Sequence, residues 1–311
     1  MAKNLLIALD VEPRHIDLFK VIGNLNITVK KQKDVTALDI KGKNIIVGNV
    51  NPNLLSDAED LEFLQLNSAG YDNYVGKLPK KTILCTSVGA FSPAVGEHIL
   101  AMTFSLIRHF HLYRDKQNRK DWSDCGKITS VEGSTIAVFG LGDIGRSYAK
   151  KVKALGAKKV IGVRRNLNDK PDYIDELYTL DDLDKILPQA DIVVNVLPSS
   201  PKTVNLFNQR TFLMMKTGAY FINVGRGDAV DQNSLLEVIR ANKLQGAALD
   251  VTTPEPLPQD NPLWSEPRIL ITPHVAGWFF LQETLERIVK IAASNVEAYM
   301  NNEPMRNIAN H

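Results

Sequence analysis

The chain has 311 residues, with 37 lysines and arginines against 35 aspartates and glutamates, a formal charge of +2, 44% apolar and 23% charged residues. A length beyond about 250–300 residues favours two hydrophobic cores over one, and the ordinary composition excludes a disordered, collagen-like or supercharged chain. So even a charge balance supplies no basic face for a phosphate backbone, and no nucleic acid is expected as a partner.

The first apolar run, residues 5–9, is too short for a signal-peptide core and reads as a strand. Further short runs at 27–29, 45–47, 63–66 and 83–86 alternate with segments of helical period, which argues for α/β with a parallel sheet. At Ser92-Pro93 a helix starts, with Ser as N-cap and Val95, Ile99, Met102, Leu106 and Phe110 along one face. A second α/β series follows, with six strands expected near 136–139, 160–163, 192–197, 220–224, 247–249 and 269–272. A last helix, about 281–300, returns to the first domain. No run approaches the roughly 18 apolar residues of a membrane span, so no membrane partner is expected. The two cysteines, Cys85 and Cys125, form no disulfide framework; both read as buried small hydrophobes in a reducing, cytoplasmic setting.

The strand at 135–139 runs into Gly140-Leu141-Gly142-Asp143-Ile144-Gly145 and then a helix. This is GxGxxG in the setting where it marks a dinucleotide: Gly140 for the tight turn, Gly142 for close approach of a pyrophosphate, Gly145 for helix packing, and helix N-terminal N–H groups around Asp143 and Ile144 for the anion. The next strand ends at Val163-Arg164-Arg165, where an NAD site carries a carboxylate on the ribose hydroxyls. A carboxylate would repel the 2′-phosphate of NADP, whereas an arginine offers charge-assisted hydrogen bonds of about 1.5–3 kcal/mol. NADP(H) is therefore expected as the preferred cofactor, with NAD(H) second. His98, His109 and His111 have spacings that do not bring two imidazoles together, and no metal is expected.

Three segments at later strand ends carry a cation, an acid and an imidazole: Asn223-Val224-Gly225-Arg226-Gly227, Asp250 with the Pro-rich loop around Glu255, and Pro273-His274-Val275-Ala276-Gly277. With Asn67-Ser68-Ala69-Gly70-Tyr71-Asp72 and the glycine loop, these motifs make the sequence resemble the D-isomer-specific 2-hydroxyacid dehydrogenase family, over nearly the whole chain. The resemblance implies a Rossmann-type doubly wound parallel sheet, residues 93–277, inserted into a smaller flavodoxin-like α/β substrate domain, residues 1–92 plus 278–311.

It further implies hydride transfer between NADP(H) and a small 2-keto or 2-hydroxy acid, glyoxylate or hydroxypyruvate first. His274 would be the general acid/base, Glu255 its carboxylate partner and Arg226 the binder of the substrate's oxygens. The chemistry agrees: ketone reduction needs a proton on oxygen, which an imidazole donates near neutral pH, and a guanidinium fork suits a carboxylate. By the same carry-over Ala69 and Gly70 bind the substrate carboxylate, Asp250 and Val224 orient the nicotinamide carboxamide, and Pro198 and Gly277 line the cofactor groove. As residues alone, Asp250 reads equally as a turn cap and Pro198 as a strand terminator. Trp278, followed by Phe279-Phe280, departs from the family's smaller residues and either lines the substrate pocket or packs in an interface. A homodimer is implied, with the 93–110 helix as its contact. Phosphoglycerate or D-lactate dehydrogenation with NAD ranks second, and a nucleotide-sensing binding protein third.

Overall fold

In the computed structural model, which describes residues 2–56, 58–278 and 281–310, the chain divides into two units, Met1–Phe91 with Phe279–His311, and Ser92–Trp278.

The first unit is built on β1 (Lys3–Ala8), β2 (Leu25–Lys30), β3 (Ile45–Val47), β4 (Phe63–Gln65) and β5 (Ile83–Cys85), parallel and ordered β5-β4-β3-β1-β2. This is flavodoxin-like winding, outward from β1 on both sides. Leu5, Leu6, Ile7 and Ala8 are all fully buried, the continuous apolar run that a parallel sheet covered on both faces requires. Leu6, Ile46, Leu64 and Leu84 belong to one core with Ile40 and Leu66.

The Gln282–Met300 helix buries Ile288, Val289, Ala292 and Val296, as its period predicts. On it Asn295, 1% exposed, donates to Gln65 Oε1 at 2.7 Å and to the Arg306 carbonyl at 3.0 Å, and its oxygen accepts from the Arg306 N–H at 3.0 Å. A short strand, Ile308–Ala309, then pairs antiparallel with β5. The expected parallel sheet thus carries a two-residue antiparallel edge, too short for the sequence pattern to mark.

The second unit holds β6 (Thr135–Phe139), β7 (Lys159–Val163), β8 (Glu176–Tyr178), β9 (Ile192–Asn195), β10 (Ala219–Asn223), β11 (Leu244–Leu249) and β12 (Ile269–Ile271), in the order β12-β11-β10-β9-β6-β7-β8. That is Rossmann winding with one strand added at the β12 edge, and its direction reverses between β6 and β9. β8 is the strand the sequence missed, because Glu-Leu-Tyr at a half-buried edge forms no apolar run. Phe139, Phe207, Phe212 and Phe221 pack ring to ring in its core.

The single helix expected to reach Phe110 is two. Ser92–Ile107 buries Val95, Ile99, Met102 and Leu106 and contacts the Asp143–Ala154 helix, β10 and β11. His109 then adopts φ 58°, and a separate helix, Phe110–Asn118, begins. Phe110 thus leaves the apolar stripe and is 58% exposed. The stripe is buried inside its own unit. Cys85 is buried, which pushes its thiol up to about 11, but Cys125 is partly exposed and not the buried hydrophobe expected. Among the described residues no helix is long and apolar enough to cross a membrane.

Asn295→Leu leaves the Gln65 and Arg306 partners unmatched and is expected to cost about 2–3 kcal/mol of stability. Urea unfolding followed by circular dichroism checks this, and an unchanged midpoint would show that those bonds are dispensable.

Candidate active site

The site residues of the second unit lie past the C-terminal ends of its strands, the end at which doubly wound folds place ligands. The glycine loop follows β6, Arg164 follows β7, Pro198 follows β9, Arg226 follows β10, Asp250 and Glu255 follow β11, and His274 follows β12.

Arg226 is presented by a pair of fully buried asparagines. Asn195 Nδ2 donates to Asn223 Oδ1 at 2.9 Å, the Gly225 N–H donates to the same oxygen at 3.1 Å, and Asn223 Nδ2 donates to the Arg226 carbonyl at 2.9 Å. A buried amide must have its donors and acceptors matched, and here the matching fixes the turn. Arg226 Nη1 donates to the Gly225 carbonyl at 2.9 Å. Gln232 Nε2 donates to the Thr253 carbonyl, which ties this segment to the loop that carries Glu255.

His274 stands in the left-handed region, φ 52°, a conformation that costs a residue with a side chain roughly 1–2 kcal/mol. Its N–H is shared by the carbonyls of Asp250 at 2.8 Å and Thr272 at 3.0 Å. The Asp250 carboxylate, 2% exposed, accepts from the Val275 N–H at 3.0 Å, the Ala276 N–H at 3.1 Å and the Thr272 hydroxyl at 2.5 Å. Asp250 is therefore bonded to the His274 N–H through its carbonyl and to the next two N–H groups through its carboxylate.

The imidazole Nδ1 lies 2.8 Å from Glu255 Oε2. An ionised carboxylate only accepts, so Nδ1 carries the hydrogen and Nε2 stays open to a ligand. Glu255 is aimed by its own turn, because the Thr252 N–H donates to Oε1 at 3.1 Å. The His274 and Glu255 side chains are 53% and 38% exposed, so a small molecule can reach them.

The residues also fit a nicotinamide dinucleotide. A Cβ on Gly145 would stand 1.9 Å from the Gly140 carbonyl oxygen, so packing alone demands glycine there; on Gly142 it would meet no protein atom within 4 Å. Space is open in front of Gly142, and no side chain caps the helix that follows, Asp143 and Ile144 first. Its first-turn N–H groups remain available to an anion. At the end of β7, Arg164 Nη1 is buried without a hydrogen-bond partner, while Arg165 is exposed. An unmatched buried nitrogen of this kind is costly, and an anionic group would match it.

Pro198 is exposed, with its carbonyl accepting from Thr203 Oγ1 at 2.8 Å. The Val224 N–H donates to the Asn195 carbonyl at 3.0 Å. Gly277 lies in the turn after His274, and the Trp278 N–H donates to the Val275 carbonyl at 3.3 Å; that indole-bearing residue is 53% exposed. Phe279 and Phe280 lie outside the described residues. In the first unit, Ala69 and Gly70 follow β4, where Ser68 Oγ donates to the Gly70 carbonyl at 2.7 Å. Among the described residues no backbone carbonyl accepts from the N–H of either. No group of three or more His, Cys, Asp or Glu that could hold a metal ion is found among the described residues. Asn195 and Thr272 are supporting residues that had no expected role: Thr272 directly precedes the Pro273–Gly277 motif, and Asn195 had no signal beyond a polar residue ending an apolar strand.

A sequence profile described as "D-isomer specific 2-hydroxyacid dehydrogenase, NAD binding domain" matches residues 100–276. Glyoxylate/hydroxypyruvate reductase A from Serratia proteamaculans is 30% identical over 219 residues, 69% of this chain and 68% of its own. Glyoxylate/hydroxypyruvate reductase B from Klebsiella pneumoniae subsp. pneumoniae is 29% identical over 268 residues, 84% of this chain and 82% of its own. The crystal structure of a D-isomer specific 2-hydroxyacid dehydrogenase family protein from Aeromonas salmonicida superposes with a TM-score of 0.87 at 30% identity, covering 100% of this chain and 99% of that one.

Gly142→Asp places a favoured N-cap residue on the helix but a carboxylate where the anion would sit. Its melting temperature is expected within about 3 °C of the parent, with nicotinamide dinucleotide binding weakened at least about tenfold. Gly145→Ala is expected to lower the melting temperature. Thermal melts and quenching of tryptophan fluorescence measure both.

Proposed function

Because the chain belongs to the D-isomer specific 2-hydroxyacid dehydrogenase family, oxidoreductases that act on a CH–OH group with a nicotinamide dinucleotide, we propose that this protein reduces small 2-keto acids, glyoxylate or hydroxypyruvate, to the corresponding 2-hydroxy acids with NADP(H). The observation that carries the reading is the 2.8 Å bond between His274 Nδ1 and Glu255 Oε2, which leaves Nε2 to face a substrate oxygen.

When bound, the cofactor supplies the hydride to the keto carbon. The chain's residues do the rest. Arg226 holds the acid's carboxylate and polarises its ketone with a forked, permanently charged group. His274 Nε2 gives the proton to the ketone oxygen, and Glu255, hydrogen-bonded to Nδ1 at 2.8 Å, holds the ring with Nε2 turned to that oxygen. The N–H groups of Ala69 and Gly70 take the substrate carboxylate, and Trp278 restricts the acid to a small one. Gly140, Gly142, Asp143, Ile144 and Gly145 take the pyrophosphate. Val224, Pro198 and Gly277 border the nicotinamide, and Asp250 Oδ2, with one N–H bonded, keeps a lone pair for its carboxamide.

Arg164 and Arg165 are assigned to the 2′-phosphate, supported by the orphaned Arg164 Nη1. Two copies are proposed to associate through the exposed apolar residues that follow the Ser92–Ile107 helix, Phe110, Tyr113 and Trp122. A cytoplasmic location, suited to two free cysteines, completes the proposal.

Initial rates of glyoxylate and hydroxypyruvate reduction, with NADPH and NADH side by side, test the reading. His274→Ala is expected to lower kcat by roughly 10²–10⁴-fold, the usual contribution of a positioned acid. Arg164→Glu is expected to lower kcat/KM for NADPH by at least about tenfold and spare NADH. No turnover with either cofactor would reject the substrate class, and a parent preference for NADH would reject the arginine assignment alone.

A further inference from the structure

His98, in the second turn of the Ser92–Ile107 helix, has no part in the proposed chemistry, yet it ends a hydrogen-bond chain that leads to His274. Its Nε2 lies 3.2 Å from Thr272 Oγ1 and 3.6 Å from Asp250 Oδ1, with the side chain 23% exposed. The Thr272 hydroxyl spends its one hydrogen on Asp250 Oδ1, at 2.5 Å. Its oxygen then offers only lone pairs, so His98 Nε2 must carry a hydrogen and donate it. The direction of the chain is thereby fixed, from His98 Nε2–H to Thr272 Oγ1–H to the buried Asp250 carboxylate.

That carboxylate and the Thr272 backbone are the acceptors that hold residues 274–276. The His274 N–H is bonded to the carbonyls of Asp250 and Thr272, and the next two N–H groups go to the Asp250 carboxylate. A left-handed residue other than glycine persists only where its surroundings over-determine it. Thr272 is the member of this arrangement with rotational freedom, since a hydroxyl on Cβ has other staggered positions. The His98 bond pins the rotamer in which Thr272 reaches Asp250.

We propose that His98 is a positioning residue for His274: by donating to Thr272 it keeps the Thr272–Asp250 pair set, and with it the backbone conformation that aims the imidazole. The inference rests on the reading of His274 as proton donor. It assigns a function to a helix of the cofactor-binding unit that lies more than 170 positions earlier in the chain than the loop it steadies.

Two variants separate the donor from the bulk of the ring. His98→Leu keeps an apolar filler without a donor; His98→Gln places an amide nitrogen at the reach of Nε2. His98→Leu is expected to lower kcat between about tenfold and a hundredfold, the scale of a misaligned catalytic group, with KM for the keto acid and the Kd for NADPH within about twofold. His98→Gln should recover kcat to within about twofold of the parent, and both should melt within about 3 °C of it. A crystal structure of the His98→Leu protein without ligands gives a readout free of turnover: His274 should leave the left-handed region or lie beyond about 3.5 Å from Glu255. An unchanged kcat in His98→Leu, an unmoved His274, or a His98→Gln protein as slow as His98→Leu would each overturn the proposal. If the parent reduces no 2-keto acid, the functional reading fails, and the crystal structure still decides the positioning role.

Discussion

A carboxylate taken out of water must be met by donors, and Asp250 is met by the loop that carries His274. Burial of an unmatched charge is prohibitive, so the chain folds with Asp250 among the Val275 N–H, the Ala276 N–H and the Thr272 hydroxyl or does not bury it at all. Sheet register brings these partners within reach of one another. β11 and β12 run parallel with Leu249 beside Ile271, so the next residue on each strand brings Asp250 alongside Thr272. The strained backbone of His274 thus accompanies the matching of a buried charge.

The same device operates one strand pair away. Asn195 and Asn223 are register partners at the ends of β9 and β10, so their side chains emerge on the same face within hydrogen-bond reach. The amide pair organises the turn that offers Arg226. Cation and imidazole are both placed by polar residues at paired positions of a parallel sheet, and a slip of one residue in either pairing would turn those side chains to the opposite face.

The sequence made the glycine loop, the strand centres and the motif order legible because each is a local pattern: glycines at fixed spacing, continuous apolar runs such as 5–9, a 3.6-residue stripe on the last helix. What it hid depends on pairing across the sheet or on isolated backbone angles. β8 and Ile308–Ala309 are edge strands without apolar runs. The break at His109 is a single left-handed residue between two helical segments, and apolar spacing continues across it to Phe110. The Asn195–Asn223 pair and the Thr272 hydroxyl become visible as supports only when strand order and register are known. Glu255 could be named from its motif, whereas the Thr252 N–H that aims it could not.

The antiparallel pairing of Ile308 with Cys85 has a consequence for folding. The second unit is continuous in sequence, so every strand of its sheet precedes the last helix in the chain. The first unit needs residues separated by more than two hundred positions, and without them the β5 edge and the apolar face that packs on the Gln282–Met300 helix stay uncovered. An open parallel edge of this kind is a template for wrong pairings, and distant contacts close slowly. The first unit thus closes only with segments that follow the whole of the second sheet in the chain.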